Sequence, residues 1–279
     1  IGRALLNLTL VENAVPHNLD TYYQDHWVDI EPERMNRYEA MFQWREGHEV
    51  LVAGAGVSTG HRVVDYGCGP GALTIEMARR VGAGGQVIGL DINTTFLEKT
   101  QTAADKAGFG DRVDTRLVEV DQLPVDNDSV DRVLCKNVLE YVPDPGITIA
   151  EFHRILQPGG ISHVSDSDWG AVIFDPGDDL FARIMQAAQI AFRTPHIGRK
   201  LYGLFHQAGF KDIKVQMLGN PDTVGALKPV LTNMASYARL SGTLPDAEID
   251  EFLQLLERSI EDGSYFAVLP QFIVTAIAT

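Results

Sequence analysis

Cysteine is scarce in this chain, with only Cys68 and Cys135 among 279 residues. Neither has a cysteine or histidine neighbour at the spacing of metal ligands. The sequence therefore excludes a disulfide scaffold and argues against a cysteine-based zinc site. We expect two reduced thiols, as in the reducing cytoplasm.

Basic residues and long apolar runs are also few. Lys and Arg number 23 against 38 Asp and Glu, so the net charge is −15, which argues against binding to nucleic acid or to an anionic membrane surface. No stretch approaches the roughly 20 apolar residues of a spanning helix, and the N-terminus lacks a signal-peptide pattern. We therefore expect a cytoplasmic protein with a small-molecule substrate and no nucleic-acid or membrane partner. A homodimer is left open.

Glycine is concentrated where the first predicted strand ends. Val63 and Val64 lead into Asp65, and three glycines then follow at alternate positions: Gly67, Gly69 and Gly71. Glycine is favoured where the backbone takes positive φ or where another molecule comes very close. A helix is predicted over 72–81, so this turn presents free N–H groups above the strand end.

The spacing of these residues resembles the first motif of the class I S-adenosylmethionine-dependent methyltransferases, acid-x-Gly-x-Gly-x-Gly. A dinucleotide-binding loop, typical of dehydrogenases, is spaced Gly-x-Gly-x-x-Gly and brings a pyrophosphate to the helix N-terminus. Here one residue fewer separates the last two glycines, and Asp65 would repel a pyrophosphate. The motif favours S-adenosylmethionine as cofactor, bound at Asp65 and the three glycines.

Further cofactor residues are predicted at the ends of later strands. Residues 86–91 form a second strand that ends in Asp91, where a carboxylate can accept both ribose hydroxyls, with Ile92 beside it. A helix-capping role for Asp91 is compatible with this. The resemblance implies that Asp121 and Gln122 contact the adenine, although Asp121 could be an ordinary turn residue. It also implies that Asn137, after the fourth strand, lies under the methionine part of the cofactor.

The order of elements predicts an α/β fold, a Rossmann-like, doubly wound, mostly parallel seven-stranded sheet with a helical cap over the C-terminal strand edge. Five strands alternate with helices between residues 62 and 165, and further strands are expected at 213–217 and 272–276. Predicted domains are an N-terminal helical cap or lid (1–60), the core (61–220), a helical insertion (221–262) and the final strand (263–279). Because the chain begins with Ile1 rather than Met, we expect upstream residues.

Residues 140–145 and 158–160 resemble the branch of the family that contains the ubiquinone, menaquinone and natural-product methyltransferases. Candidate residues for the acceptor follow the fifth strand and occupy the N-terminal segment. Asp166 or Asp168 could accept a proton or hold an amine, and Trp169 could stack on an aromatic acceptor, although turn capping and packing explain them equally well.

Residues of the N-terminal segment could form a lid. His26 is a candidate base, and three aromatic residues are candidates for substrate contact: Tyr22, Tyr23 and Trp27. Core or surface roles fit them as well. No third ligand accompanies Asp166 and Asp168, so no metal is predicted.

The resulting hypothesis is a methyltransferase of specialised metabolism. We expect transfer to a nitrogen or carbon of an aromatic or amine-bearing natural-product intermediate, because no metal site or hydroxyl-deprotonating pair is visible. The alternatives are a quinone-biosynthesis C-methyltransferase, a small-molecule O-methyltransferase and a non-catalytic, cofactor-binding regulatory module.

Overall fold

The computed structural model describes residues 18–28, 30, 34–35, 38, 43–118 and 122–279. Its centre is a seven-stranded sheet. The strands of this sheet are β1 (Arg62–Tyr66), β2 (Gln86–Asp91), β3 (Val113–Leu117), β4 (Val130–Lys136), β5 (Leu156–Ser167), β7 (Lys211–Leu218) and β9 (Gln271–Ile277). A separate two-stranded ribbon pairs β6 (Ile173–Asp175) with β8 (Phe266–Val268).

Helices connect and cover the strands. The described α-helices are α1 (Tyr22–Val28), α2 (Ala72–Val81), α3 (Thr94–Lys106), α4 (Pro145–Ile155), α5 (Asp178–Ala187), α6 (Ile197–Gln207), α7 (Lys228–Ser241) and α8 (Asp246–Asp262). Short 3₁₀ helices lie at Glu46–Leu51, Ala53–Ala55, Gly110–Arg112, Trp169–Ala171 and Ala188–Ala191.

The sheet order is β3-β2-β1-β4-β5-β9-β7. The first five of these strands are parallel, and β9 runs antiparallel to both β5 and β7. The chain starts in the middle of the sheet and winds outward in both directions, so the order reverses beside β1. In such sheets the ligand crevice lies outside the carboxyl ends of the strands at this reversal. The predicted fold class is confirmed.

Local sequence explains the helices beside this crevice. The Asn93 side chain caps α3 by accepting the Phe96 N–H at 3.1 Å, and Asp144 caps α4 by accepting the Gly146 N–H at 2.8 Å. Capping groups of this kind replace hydrogen bonds that the first turn of a helix lacks. Buried residues of α4 recur at helical spacing and enter the main core, namely Ile149, Phe152 and Ile155.

The elements differ from the sequence expectation in three places. The helical insertion expected over 221–262 contains two helices, α7 and α8, separated by residues 242–245, of which Gly242 has φ +64°. The fifth strand ends at Ser167, two residues beyond the limit of 165 expected for the first five strands. Helix α5 and the β6-β8 ribbon were not predicted. Helix α2 covers residues 72–81 as predicted.

Candidate functional site

A cavity of about 520 Å³ lies over the carboxyl ends of β1, β2, β4 and β5. Its floor includes predicted cofactor residues from three strand ends, namely Asp65, Gly67, Gly69, Asp91, Ile92 and Asn137. The other lining residues include several aromatic side chains. The structure therefore joins most of the predicted cofactor residues to one continuous space.

The glycine loop, residues 67–71, forms one wall of the cavity. Gly67 has φ +72°, and a Cβ atom there would meet Val138 Cγ2 at 2.3 Å. Gly69 has φ +52° with open space where its Cβ would lie, so a ligand can approach this backbone closely. Gly71 does not line the cavity. It precedes α2 with φ +91° and packs against Thr100, so its role is to turn the chain.

Asp91 links the loop to the next strand end. Its Oδ2 accepts the Gly69 N–H at 2.8 Å, and its Oδ1 accepts the Asn93 N–H at 2.9 Å. Burial raises the pKa of Asp91 and outweighs these backbone hydrogen bonds, which lower it. Asn93, not Asp91, caps α3. Asp91 is thus a fixed carboxylate in the cavity wall.

Asp65 lies beneath the loop. It is 1% exposed, and its Oδ2 accepts the Thr74 hydroxyl at 2.6 Å. Burial is the main cause that raises the pKa of Asp65 to about 7, with the nearby Asp91 adding to it. Its carboxyl group supports the turn into α2.

Asn137 begins a polar strip along the floor. It has φ +53°, a conformation that Asn tolerates better than most residues. Its Nδ2 donates to Ser167 Oγ at 2.8 Å, and Gln271 Nε2 donates to the same oxygen at 2.7 Å. Lys136 Nζ donates to Asn137 Oδ1 at 3.2 Å. This strip connects the ends of β4, β5 and β9.

The structure does not support the prediction that Gln122 contacts the adenine. Gln122 is exposed and borders a separate surface depression beside Arg154, so it is not a wall of the main cavity. Asp121 lies outside the described residues. The cavity wall beyond the end of β3 includes Val118, together with Phe96 of α3.

A family model described as "Methyltransferase domain" matches residues 58–209, more than half of the chain. The chain belongs to this methyltransferase family. The prediction of a class I S-adenosylmethionine-dependent methyltransferase is thereby confirmed.

Of three similar proteins, two carry methyltransferase names. The chain is similar to an "Uncharacterized 37.1 kDa protein in transposon TN4556" of Streptomyces fradiae, at 28% identity over 99% of this chain and 76% of that one. It is also similar to a ubiquinone biosynthesis O-methyltransferase of Paracidovorax citrulli, at 36% identity over 48% of this chain and 53% of that one. The methyltransferase GfsG of Streptomyces halstedii is 34% identical over 39% of each chain. The matches to the two named methyltransferases thus span about half of those proteins or less.

Solved structures share the fold. A phosphoethanolamine N-methyltransferase 2 of Haemonchus contortus, in complex with phosphomonomethylethanolamine and S-adenosylhomocysteine, has a TM-score of 0.61 at 16% identity, over 94% of this chain and 60% of that one. A geranyl diphosphate C-methyltransferase of Streptomyces coelicolor A3(2), in complex with Mg²⁺, geranyl diphosphate and S-adenosylhomocysteine, has a TM-score of 0.53 at 18% identity, over 88% and 82% of the two chains. At these identities the likeness establishes the fold alone.

In this methyltransferase Asp166 does not line the cavity, so the geometry gives no support to its predicted catalytic role. It is fully buried, and its carboxylate accepts three backbone N–H groups, from Val138 at 3.3 Å, Leu139 at 2.9 Å and Ser167 at 3.0 Å. Burial raises its pKa. The side chain holds the turn after β4 in place.

Asp168 does not line the cavity either, so its predicted catalytic role also has no support in this geometry. Its buried carboxylate binds Arg199 through two side-chain hydrogen bonds of 2.6 Å each and accepts the Gly170 N–H at 3.1 Å. Burial alone would raise its pKa, but the hydrogen bonds and charge of Arg199 outweigh burial and lower it. Asp168 joins the end of β5 to α6.

His26 is packed behind the cavity wall and does not line it. Its Nδ1 contacts the Tyr22 carbonyl, and its ring stacks on that of Tyr22 with centroids 4.8 Å apart. Burial lowers the pKa of His26 to about 4, against the opposing effect of the Tyr22 carbonyl. The ring is therefore neutral at physiological pH and separated from the space where an acceptor would bind. The base prediction has no support in this geometry.

The predicted substrate residues divide into two pairs. Tyr22 is buried in the α1 packing and Tyr23 lies near Arg193, and neither lines the cavity. Trp27 and Trp169 do line it.

The two tryptophans belong to a larger aromatic group. Five of the rings that line the cavity are here called the aromatic roof: Trp27, Tyr38, Tyr141, Trp169 and Tyr237. Three of these rings were missed from sequence. Trp27 stacks on Tyr38 at 4.9 Å and meets Tyr141 edge-on at 5.0 Å.

Glu140 holds one side of the aromatic roof. It is 1% exposed, and its Oε2 accepts the Trp169 indole N–H at 2.5 Å. Burial raises its pKa well above the usual range. Its position in residues 140–145, which resemble the quinone-methyltransferase branch, was the sequence signal that could have identified it.

The described residues show neither a metal-binding cluster nor a membrane-spanning helix. These residues contain no cluster of three or more His, Cys, Asp or Glu side chains suited to a metal ion. None of the described helices combines the length and the apolar character that a membrane-spanning helix requires.

Proposed function

We propose that this protein transfers a methyl group from S-adenosylmethionine to a nitrogen or carbon of a small aromatic or amine-bearing molecule. The observation that carries this proposal is the cavity itself, in which a cofactor floor and the aromatic roof are continuous. Asp91 and Gly69 fit the adenosine part of the cofactor, since a carboxylate can accept ribose hydroxyls beside a backbone with open space above it. When bound, the cofactor supplies an electrophilic methyl group on a sulfonium.

The residues of the chain bind and orient both molecules. Methyl transfer requires the acceptor atom in line with the methyl carbon and the sulfur, about 3 Å from the carbon, with water excluded. The aromatic roof can supply both conditions, because its rings are packed on one another and on Phe192. Aromatic faces also stabilise positive charge, which suits an amine and the sulfonium.

Transfer to an oxygen is a second candidate. It is supported by the similarity to the ubiquinone biosynthesis O-methyltransferase, which is 36% identical over 138 residues. Against it, Asp166, Asp168 and His26 are all held away from the cavity, so none of the predicted bases is available to deprotonate a hydroxyl.

The test is turnover with cofactor labelled in the methyl group. Purified protein is incubated with arylamines, phenols, quinols and a small-molecule extract of the source organism, and labelled products are separated and identified by mass spectrometry. A labelled N- or C-methyl product supports the proposal, and an O-methyl product supports the second candidate. S-Adenosylhomocysteine binding without labelled product from any of these would indicate a cofactor-binding module instead.

A further inference from the structure

Lys136 is a cation at the floor of the cavity. Among the described lining residues it is the one Lys or Arg side chain. It ends β4 directly after three buried residues, Val133, Leu134 and Cys135. Placing a lysine at the buried end of a strand costs free energy unless a charged partner compensates it.

The protein does not supply a contact ion pair for this ammonium group. Within the described part of the chain no carboxylate lies within 4.0 Å of its nitrogen, and its recorded hydrogen bond is to Asn137 Oδ1 at 3.2 Å. Burial lowers the pKa of Lys136, and three acids that act on it from a distance oppose this effect: Asp166, Glu140 and Asp65.

Each of those acids is engaged elsewhere. Asp166 accepts backbone N–H groups, Glu140 accepts the Trp169 indole and Asp65 accepts the Thr74 hydroxyl. An ammonium group has three donors, so Lys136 retains the capacity to bind an anion in the cavity.

Strand register fixes where such an anion would lie. Tyr66 of β1 pairs with Leu90 of β2 and with Cys135 of β4. The residues that follow these three, Gly67, Asp91 and Lys136, therefore stand at one level of the sheet. With about 4.8 Å between neighbouring strands, the backbones at Asp91 and Lys136 lie roughly 10 Å apart on either side of Gly67.

Asp91 and Lys136 line the same cavity, so a cofactor with its ribose at Asp91 would have room for its amino-acid part over the end of β4. Its carboxylate is the one anionic group that it carries. We propose that Lys136 binds the carboxylate of the methionine part of S-adenosylmethionine, an assignment that rests on the proposed function. A purely structural role for Lys136 is the alternative that the experiment separates from this assignment.

The experiment compares three ligands by isothermal titration calorimetry on the intact protein. S-Adenosylhomocysteine has the carboxylate, its decarboxylated analogue lacks only that group, and 5′-methylthioadenosine lacks the amine as well. In Lys136→Met we expect the dissociation constant of S-adenosylhomocysteine to rise about tenfold or more, as for loss of a charge-assisted hydrogen bond. The constants of the other two ligands should stay within about twofold of wild type, because they make no contact that depends on this charge.

The outcomes are distinct. An equal loss for all three ligands would assign Lys136 a structural role, and unchanged binding of S-adenosylhomocysteine would remove it from the cofactor site. Either result overturns the inference while leaving the proposed function intact. If the wild type binds none of the three ligands, the proposed function itself fails.

Two further variants complete the design. Lys200→Met, at an exposed position of α6, is the matched control and should leave all three constants unchanged. If Lys136→Met does not fold, as judged by circular dichroism, Lys136→Gln is measured with the same ligands and the same criteria.

Discussion

The Oδ2 atom of Asp91 accepts the backbone N–H of Gly69 at 2.8 Å, across 22 residues of sequence. This bond fixes the carboxylate at the end of β2 relative to the glycine loop at the end of β1. Because Asp91 Oδ1 also accepts the Asn93 N–H, the carboxylate has a fixed orientation before any ligand binds. Preorganisation of this kind reduces the cost of ordering groups when a ligand arrives.

Asp91→Ala should weaken S-adenosylhomocysteine binding by about 1 to 3 kcal/mol, the range for loss of hydrogen bonds to a charged group. Asp91→Asn retains one acceptor oxygen and should lose less. Calorimetry measures both, with the exposed Asp111→Ala as control. A dissociation constant unchanged in Asp91→Ala would exclude the residue from the cofactor site.

Gly67→Ala should destabilise the protein and weaken cofactor binding. The new Cβ would lie 2.3 Å from Val138 Cγ2, and positive φ costs a non-glycine residue roughly 1 to 2 kcal/mol. Chemical denaturation measures the free energy of unfolding. Adding Val138→Ala should recover the steric part of the loss and leave the conformational part.

Gly84→Ala is the control for that experiment. No atom lies within 4 Å of its added Cβ, and its φ is outside the left-handed region. Its unfolding free energy should match wild type. A Gly67→Ala protein as stable as Gly84→Ala would contradict the tight packing of the loop on Val138.

Asp168→Asn should lower stability and leave cofactor binding unchanged. The substitution removes a buried charge from its bidentate contact with Arg199, at a cost of about 1 to 3 kcal/mol. Thermal denaturation and calorimetry with S-adenosylhomocysteine separate the two effects. A stable variant that binds the cofactor normally but has lost turnover would restore the catalytic role predicted from sequence.

The buried His26 should make stability depend on pH. Its folded pKa of about 4 is below the ordinary value near 6.5, so the unfolded chain binds the extra proton between these two values. Its contribution is fully present above pH ~6.5 and is lost as the pH falls toward ~4, at up to about 1.4 kcal/mol per pH unit.

The variant His26→Gln should lack this pH-dependent contribution to the free energy of unfolding. Urea denaturation at pH 5 and pH 7 should show a smaller change in unfolding free energy for His26→Gln than for wild type. The exposed His206→Gln should follow wild type. If His26→Gln and wild type change in parallel, His26 does not stay neutral in the folded protein.

Local signals in the sequence predicted the cofactor half of the site. The glycine loop and the acid at the end of β2 depend on backbone conformation and strand order, and both are readable along the chain. The half of the site that would bind the acceptor was harder to predict, because it depends on the side of the strand from which each residue projects. Successive residues of a strand point to opposite faces, so Ser167 lines the cavity while Asp166 and Asp168 do not.

The aromatic roof illustrates a second limit of the sequence. Tyr38, Tyr141 and Tyr237 are far apart in the chain and meet only through tertiary packing. Lys136 did carry a signal, since a lysine at the end of an apolar strand is unusual, but its importance depends on which groups surround it.

The central claim is that the strand-end cavity holds the adenosine of S-adenosylmethionine with its sugar at Asp91. A crystal structure with S-adenosylhomocysteine tests it most directly. The account predicts both ribose hydroxyls within hydrogen-bond distance of the Asp91 carboxylate and the sulfur facing the aromatic roof. A ligand located anywhere else, or absent from the cavity at saturating concentration, would contradict it.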